Sequence, residues 1–465
     1  MSTTPRGQVL SSQEPGVRQA TDDFADGFLA YDLRILNIVE AAERHPESAL
    51  TQVYAGFLAM FDESPAGRVS ARRYLARAQL PSVQLDAREA GHVALLQAWV
   101  DGDIPSALRA ADALTDRFPR DLVITKLAQY LAFNRGDVLT MLRAILKVLD
   151  VNADVAAAHG MAAFAWEQAN LLTRAERAAR QALALQPSEP WAQHALAHVC
   201  LTQGRVDEGT RLLEQASAGW QGLNSFMSTH LWWHLALFYL ARGREAEALR
   251  IHDQHVWGVA KGYSQDQAGA VQLLARLELA GVDVGDRWQD VADHIAARGA
   301  DTEQPYLSLL YLYGLARARR PQAADLLAAL RDQAGSAADH DRDTWLHAVL
   351  PAAQGLVALA AGEHQAAHAL LSRAQPGLSQ VGGSHAQRDL FTQWQLHAAL
   401  RSAQWLPVQQ ALEARRWADA DDVQVNQTLA VVYDGVGLTA LATQARERVQ
   451  AVRAQHARVG RRAQD

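Results

Sequence analysis

Residues 170–209, NLLTRAERAARQALALQPSEPWAQHALAHVCLTQGRVDEG, carry the punctuation that decides the fold. Asn170 and Gly204 stand 34 residues apart, and each is followed five places later by a small residue, Ala175 and Gly209. Pro187 lies seventeen residues beyond Asn170. Asn and Gly tolerate the left-handed backbone by which a chain leaves a helix, a small residue early in the next helix lets two helices approach, and proline stops a helix. The same phase runs backwards through Gly136 and Gly102, with Ala107 and Pro119 in register; Met141 departs from the small-residue position. This 34-residue period is that of a tetratricopeptide repeat, a helical hairpin that buries its apolar face against its neighbours.

Working outward, apolar residues keep helical spacing around these turns, as in HVALLQAWV before Gly102. After Gly204 the phase slips by five to Gly243, with Ala248 as its small residue, so SAGWQGLNSFMS is expected to form a longer loop. YLSLLYLYGLARARRPQAADLLAAL and LPAAQGLVALAAGEHQAAHALL read as two further hairpins, the latter turning at Gly362 with Ala367 in register. The expectation is an all-α, TPR-like α-solenoid, a right-handed superhelix over residues 23–452. Flexible tails are expected at 1–22 and, basic in character, at 453–465, with long connections at 281–304 and 374–388.

Composition agrees with a large core: of 465 residues, 49% are hydrophobic and 20% charged. A net charge of -7, from 44 basic and 51 acidic side chains, gives no overall footprint for nucleic acid or an anionic membrane. Neither a signal-peptide core nor a membrane span is read from the sequence. The single cysteine, Cys200, excludes an internal disulfide and suits a reducing compartment, so a cytoplasmic location is expected. Its apolar neighbours favour a buried small side chain over a nucleophile.

The repeat register also predicts a surface, because the first helix of each hairpin supplies the concave wall. In order, it places there His92 and Trp99; Tyr130 and Phe133; Phe164 and Glu167; Trp191, His194, His198 and Leu201; and His230, Trp233, His234 and Leu237. Grooves that clamp acidic peptide ends use Lys and Arg clusters, whereas this wall is aromatic and rich in histidine. It suits a small organic or amphipathic molecule, with His92, Tyr130, Phe164, Trp191 and Trp233 as contacts. The competing reading is a closely wound superhelix that fills its own axis with these side chains.

HALAHVCLTQGR, HLWWHLALFYLARGREAEALRIHDQHV, LLARLELAGVDVGDRW and GGSHAQRDLF together resemble the tetratricopeptide repeat protein 38 family, over most of residues 25–450. The resemblance implies an all-helical superhelix with a closed concave interior, and no defining reaction. Relative to the family's usual pattern, Leu201 stands in place of a glutamate, Gly269 in place of an acidic residue with Asp266 nearby, and Leu307, Ser308, Leu309 and Leu310 in place of an Asn-Asp-x-His cluster.

His194 and His198, like His230 and His234, lie four apart and therefore share a helix face. Four imidazoles would converge if the two helices face one another. Such pairs can ligate zinc or a redox metal, yet Leu201 removes the obvious carboxylate ligand, so no metal and no cofactor is assigned. Acid–base chemistry by His194, His198, His230 and His234, with Asp253 orienting one ring, is the enzymatic alternative. In VGGSHAQRDLF, Ser384 is a candidate helix N-cap, and His385 and Arg388 are candidate contacts for the polar end of a ligand. The glycine spacing is not that of a phosphate loop. The leading expectation is a helical-repeat protein that binds a small molecule. A protein-interaction scaffold is a third reading, and a protein partner or homo-oligomerisation stays open.

Overall fold

The computed structural model describes residues 14–83 and 85–462, and they form helices and turns. Among them no β-strand forms, the one extended pairing being an isolated bridge between Asp32 and Leu223. The expected hairpins are present: Ala87–Val100 with Ile104–Arg117, Leu122–Phe133 with Val138–Leu146, Ala156–Gln168 with Leu172–Leu185, and Pro190–Thr202 with Val206–Ala216. Beyond the phase slip come Ser225–Ala241 with Glu245–Ile251, Pro305–Arg317 with Gln322–Ser336, and Leu350–Ala360 with His364–Ala374. Asn170 turns at φ 58° and Gly204 at φ 68°, the left-handed exits that the punctuation requires. Ala107, Ala175 and Ala248 are fully buried at the hairpin contacts. This is an all-α, TPR-like helical-repeat fold.

The chain divides into two compact units, one reaching Leu196 and including Gly219–Met227, the other comprising Ala197–Ala218 and Ser228 onward. The boundary therefore cuts two continuous helices, Pro190–Thr202 and Ser225–Ala241.

In the first unit, the expected tail at 1–22 is corrected from Pro15 onward, where a helix runs to Ala30. Val17, Ala20, Thr21, Phe24 and Phe28 recur at three- and four-residue spacing and are buried, which is why this segment docks. Phe24 stacks on Tyr54 at 4.4 Å, and Phe28 meets Phe61 at 5.4 Å. Residues 1–13 of the expected tail lie outside the described residues. SAGWQGLNSFMS is shorter as a loop than expected, because the next helix already begins at Ser225. Trp220 within it is buried and donates to Gln193 at 3.0 Å, while the Asn224 N–H donates to the Tyr31 carbonyl at 2.6 Å.

A buried ion pair ties the first repeats together. Arg88 Nε donates to Asp121 at 2.7 Å, Arg88 Nη2 to the Tyr54 hydroxyl at 3.0 Å, and His92 Nε2 stands 3.2 Å from the same carboxylate. Burial alone would raise the Asp121 carboxyl; Arg88 and His92 outweigh it and hold it well below the usual carboxylate range.

In the second unit, the expected connections contain structure of their own: a helix at Arg287–Ala296 and a 3-10 segment at Gln375–Val381, with the next helix starting at His385. The expected basic tail is helical as far as Arg462, in Thr439–Arg462, and residues 463–465 lie outside the described residues. Arg453 reaches Glu245 at 2.6 Å. Arg242 bridges Asp207 at 3.0 Å and Asp419 at 2.6 Å, so helices remote in sequence are clamped beside the Gly204 turn.

Two substitutions follow from these contacts. Asp121→Asn is expected to lower the unfolding free energy by about 3–5 kcal/mol, because Arg88 is left buried without its counter-charge. A depressed carboxylate stabilises above its ordinary pKa, so the wild type should lose this contribution as pH falls below the usual carboxylate range, and the variant should show a flatter acid limb in denaturant titrations. At Gly204 a Cβ would meet the Ala418 carbonyl oxygen at 2.2 Å, whereas at Gly362, also left-handed, it would meet nothing within 4 Å. Gly362→Ala should cost about 1–2 kcal/mol and Gly204→Ala clearly more, read as the order of their urea midpoints.

Candidate functional site

The concave wall of the first unit is occupied by its own side chains. His92 is fully buried, with Nδ1 at 2.7 Å from the Arg88 carbonyl and Nε2 facing Asp121. Tyr130 donates to Glu63 at 2.7 Å and packs against Phe61 at 4.8 Å and Trp99 at 5.7 Å. Phe164 is buried between Trp191, at 4.7 Å, and His194, at 5.1 Å. Trp191 stacks on His194 at 4.3 Å and on Tyr31 at 5.3 Å. The buried Lys126 amine nitrogen sits 3.4 Å from the Tyr31 ring centre. Glu189, with its carboxyl pushed up to about 7 by burial, accepts from the Ala192 N–H. For His92, Tyr130 and Phe164, the register is recovered while an open groove is not: the helix Pro15–Ala30 and neighbouring rings take the space.

The second unit brings three of the predicted histidines together. His198 comes from Pro190–Thr202; His230 and His234 lie one turn apart on Ser225–Ala241. The His198 and His234 rings are 4.6 Å apart and those of His230 and His234 4.7 Å. Trp233, 1% exposed, stacks on His230 at 5.4 Å and meets His234 edge-on at 4.8 Å. Burial and then the neighbouring His198 press the His230 imidazole down to about 3, leaving it neutral at physiological pH. Thr229, just before His230, donates to the buried Asp266 at 3.2 Å. His194 precedes His198 by one turn on the same helix and belongs to the first unit.

Asp253 is placed elsewhere. It lies on a widened helical turn, His252–Val256, where Arg287 grips it through two bonds of 2.7 Å and His252 Nδ1 stands at 3.0 Å. Arg287, then His252, hold its carboxyl below the ordinary range. The imidazole it orients is therefore that of His252, not one of the two paired sets.

A cavity of about 490 Å³ opens within the same unit. Leu201, Leu237, Leu240, Leu396, Leu400 and Leu412 give it apolar walls, and Arg276, His385, Asp389 and Arg415 bring polar groups to it. Arg276 is the unusual member. It is 5% exposed, donates to the Ala386 carbonyl at 2.7 Å and the Gln272 carbonyl at 3.3 Å, and rests 5.1 Å from the Trp233 ring centre. Asp389, a carboxylate whose charge acts on it, is instead ion-paired with Arg415. Burial lowers the Arg276 guanidinium to about 10, still charged at neutral pH.

GGSHAQRDLF builds this corner. Ser384 caps the helix His385–Arg401 reciprocally with Gln387, and Gly383 is left-handed at φ 78° where a Cβ would strike the Tyr306 ring at 2.7 Å. Tyr306 in turn donates to Gln272 at 3.0 Å, one turn before Arg276. Arg388 spends its guanidinium on the Gly383 carbonyl and stands 3.4 Å from His385 Nδ1, so it holds the segment that presents Ala386 to Arg276. His385 is exposed at the cavity edge. Sequence reasoning missed Arg276, Asp389 and Arg415 as site residues; the available signal was a lone arginine within the apolar run VQLLARLEL. Cys200 is buried, as expected from its neighbours.

No family model matches the chain. Among solved structures it is similar to a human IFIT1 dimer with PPP-AAAA, at 13% identity over 95% of both chains and a TM-score of 0.42. It is also similar to a chain of the APC/C hetero-tetramer Cut9-Hcn1, at 11% identity over 94% of this chain and 86% of that one, with a TM-score of 0.29. The P58(IPK) TPR domain aligns at 12% identity over 82% of this chain and all of its own, with a TM-score of 0.23. No described helix is long and apolar enough to cross a membrane.

Proposed function

We propose that this helical-repeat protein binds a small amphipathic molecule bearing an acidic group, in the cavity of its second unit. One observation carries the reading: Arg276 is a buried, charged guanidinium at a cavity with leucine walls, and its hydrogen bonds go to carbonyls while the nearby Asp389 is held by Arg415. Removing such a group from water is costly, and a carboxylate or sulfonate offers it the two-pronged partner that carbonyls do not. The apolar part of the molecule would lie along Leu201, Leu237 and Leu396. His385 and Arg388 act at the rim and through the loop. Membership of the tetratricopeptide repeat protein 38 family and a cytoplasmic location, where Cys200 stays reduced, are part of the same proposal.

Titration with 1-anilinonaphthalene-8-sulfonate, an amphipathic anion, tests it. Arg276→Gln should weaken binding roughly 10- to 100-fold, the worth of a charged hydrogen bond. Leu237→Trp, which narrows the apolar wall of the cavity, should also weaken binding while the helical circular dichroism is kept. Equal binding by wild type and both variants would place the ligand elsewhere.

A further inference from the structure

His198, His230 and His234 of the second unit form a group that the cavity lining does not include. The candidate ligand nitrogens of His198, His230 and His234 lie within 4.8 Å of one another, and His198 and His234 are about 1% exposed or less. We propose that these three histidines hold a divalent transition-metal ion of the zinc class.

Geometry supports this first. A tetrahedral ion with metal–nitrogen bonds of about 2.0–2.1 Å needs its donor nitrogens about 3.4 Å apart. From separations of 4.8 Å or less, closure requires each ring to move by under about 1 Å, within the reach of small χ1 and χ2 adjustments. Two of the rings sit at i and i+4 on one helix and the third comes from a second helix, so the donors approach from two directions.

Chemistry selects the ion. The group holds imidazoles and no carboxylate, which disfavours calcium and magnesium and suits zinc, nickel or copper. Imidazole nitrogens are among the ordinary ligands of zinc, whereas closed structural sites commonly recruit cysteines. Cys200 lies two residues beyond His198 and therefore on another side of the helix. Leu201, about one turn beyond His198, offers no carboxylate. Trp233, packed against both His230 and His234, restricts their rotation and supplies an apolar wall that slows loss of the ion.

The test uses the full-length protein and is independent of the anion titration. Apo protein prepared with a chelator is titrated with Co2+, whose visible ligand-field absorption reports coordination geometry, and then with Zn2+, with bound metal quantified by mass spectrometry. One equivalent of Co2+ should give an intense, low-coordinate spectrum that Zn2+ abolishes. His234→Asn and His230→Gln should each weaken binding by more than about 100-fold, beyond the 10- to 100-fold that changes outside the ligand set produce. Replacing the exposed His347 by Ala should leave the titration unchanged. A wild-type protein that takes up no Co2+ in this form, or variants of His198, His230 and His234 that bind it as tightly as wild type, would overturn the proposal. The wild-type spectrum decides even if a variant fails to fold.

Discussion

A guanidinium taken out of water must be given partners, and much of the second unit is arranged around meeting that demand for Arg276. Its hydrogen bonds come from two directions: the Gln272 carbonyl one turn back on its own helix, and the Ala386 carbonyl at the start of His385–Arg401. The second partner exists only because Gly382 and Gly383 take left-handed angles, Ser384 and Gln387 cap the helix, and Arg388 fastens the Gly383 carbonyl. Trp233 covers one face of the group. Carbonyls solvate the charge without neutralising it, and Asp389, the acid that could do so, is engaged by Arg415. Arg276 is thus a guanidinium held by carbonyls beside leucine walls, in a lining that also carries Arg415, Asp389, Asp419 and Asp422.

The two units use one repeat grammar for different ends. In the first, the helix Pro15–Ala30 and a run of stacked rings fill the concave side, and the buried charges of Arg88 and Asp121 satisfy one another. In the second, leucines line an opening of about 490 Å³, and a buried charge faces it. The same hairpin pattern thus carries packed rings in one unit and a cavity in the other. The difference lies in which side chains the register points inward: Tyr54, Trp99 and Tyr130 close the space, whereas Leu201 and Leu237 are too short to do so.

The architecture was readable in the sequence because turns obey local rules. Gly102, Gly136, Asn170 and Gly204 each adopt the positive φ that their spacing implied, and the same relation recovered Gly243 and Gly362 across interruptions. The convergence of His198, His230 and His234 was readable too, since four-residue spacing fixes a helix face and the repeat stacks the two helices. Docking of Pro15–Ala30 was less visible: its apolar face is short, and it packs rather than frays through partners such as Tyr54 and Phe61 that are distant in sequence. Asp253 shows the opposite failure, where nearness to the imidazole helix in sequence suggested a partner that Arg287 had already claimed. Arg276 escaped notice because a single arginine in an apolar helix gives no hint of burial until the helix that offers Ala386 is in place.

The most direct measurement is the identification of what the folded protein carries. Protein purified under mild conditions would be desalted, denatured, and its released small molecules identified by untargeted mass spectrometry, with Leu237→Trp purified in parallel. An acidic amphipathic molecule enriched with the wild type and absent from the variant is the expected result. Retention of the same molecules by both proteins, or of purely neutral ones that the bulkier tryptophan displaces, would contradict the role given to Arg276.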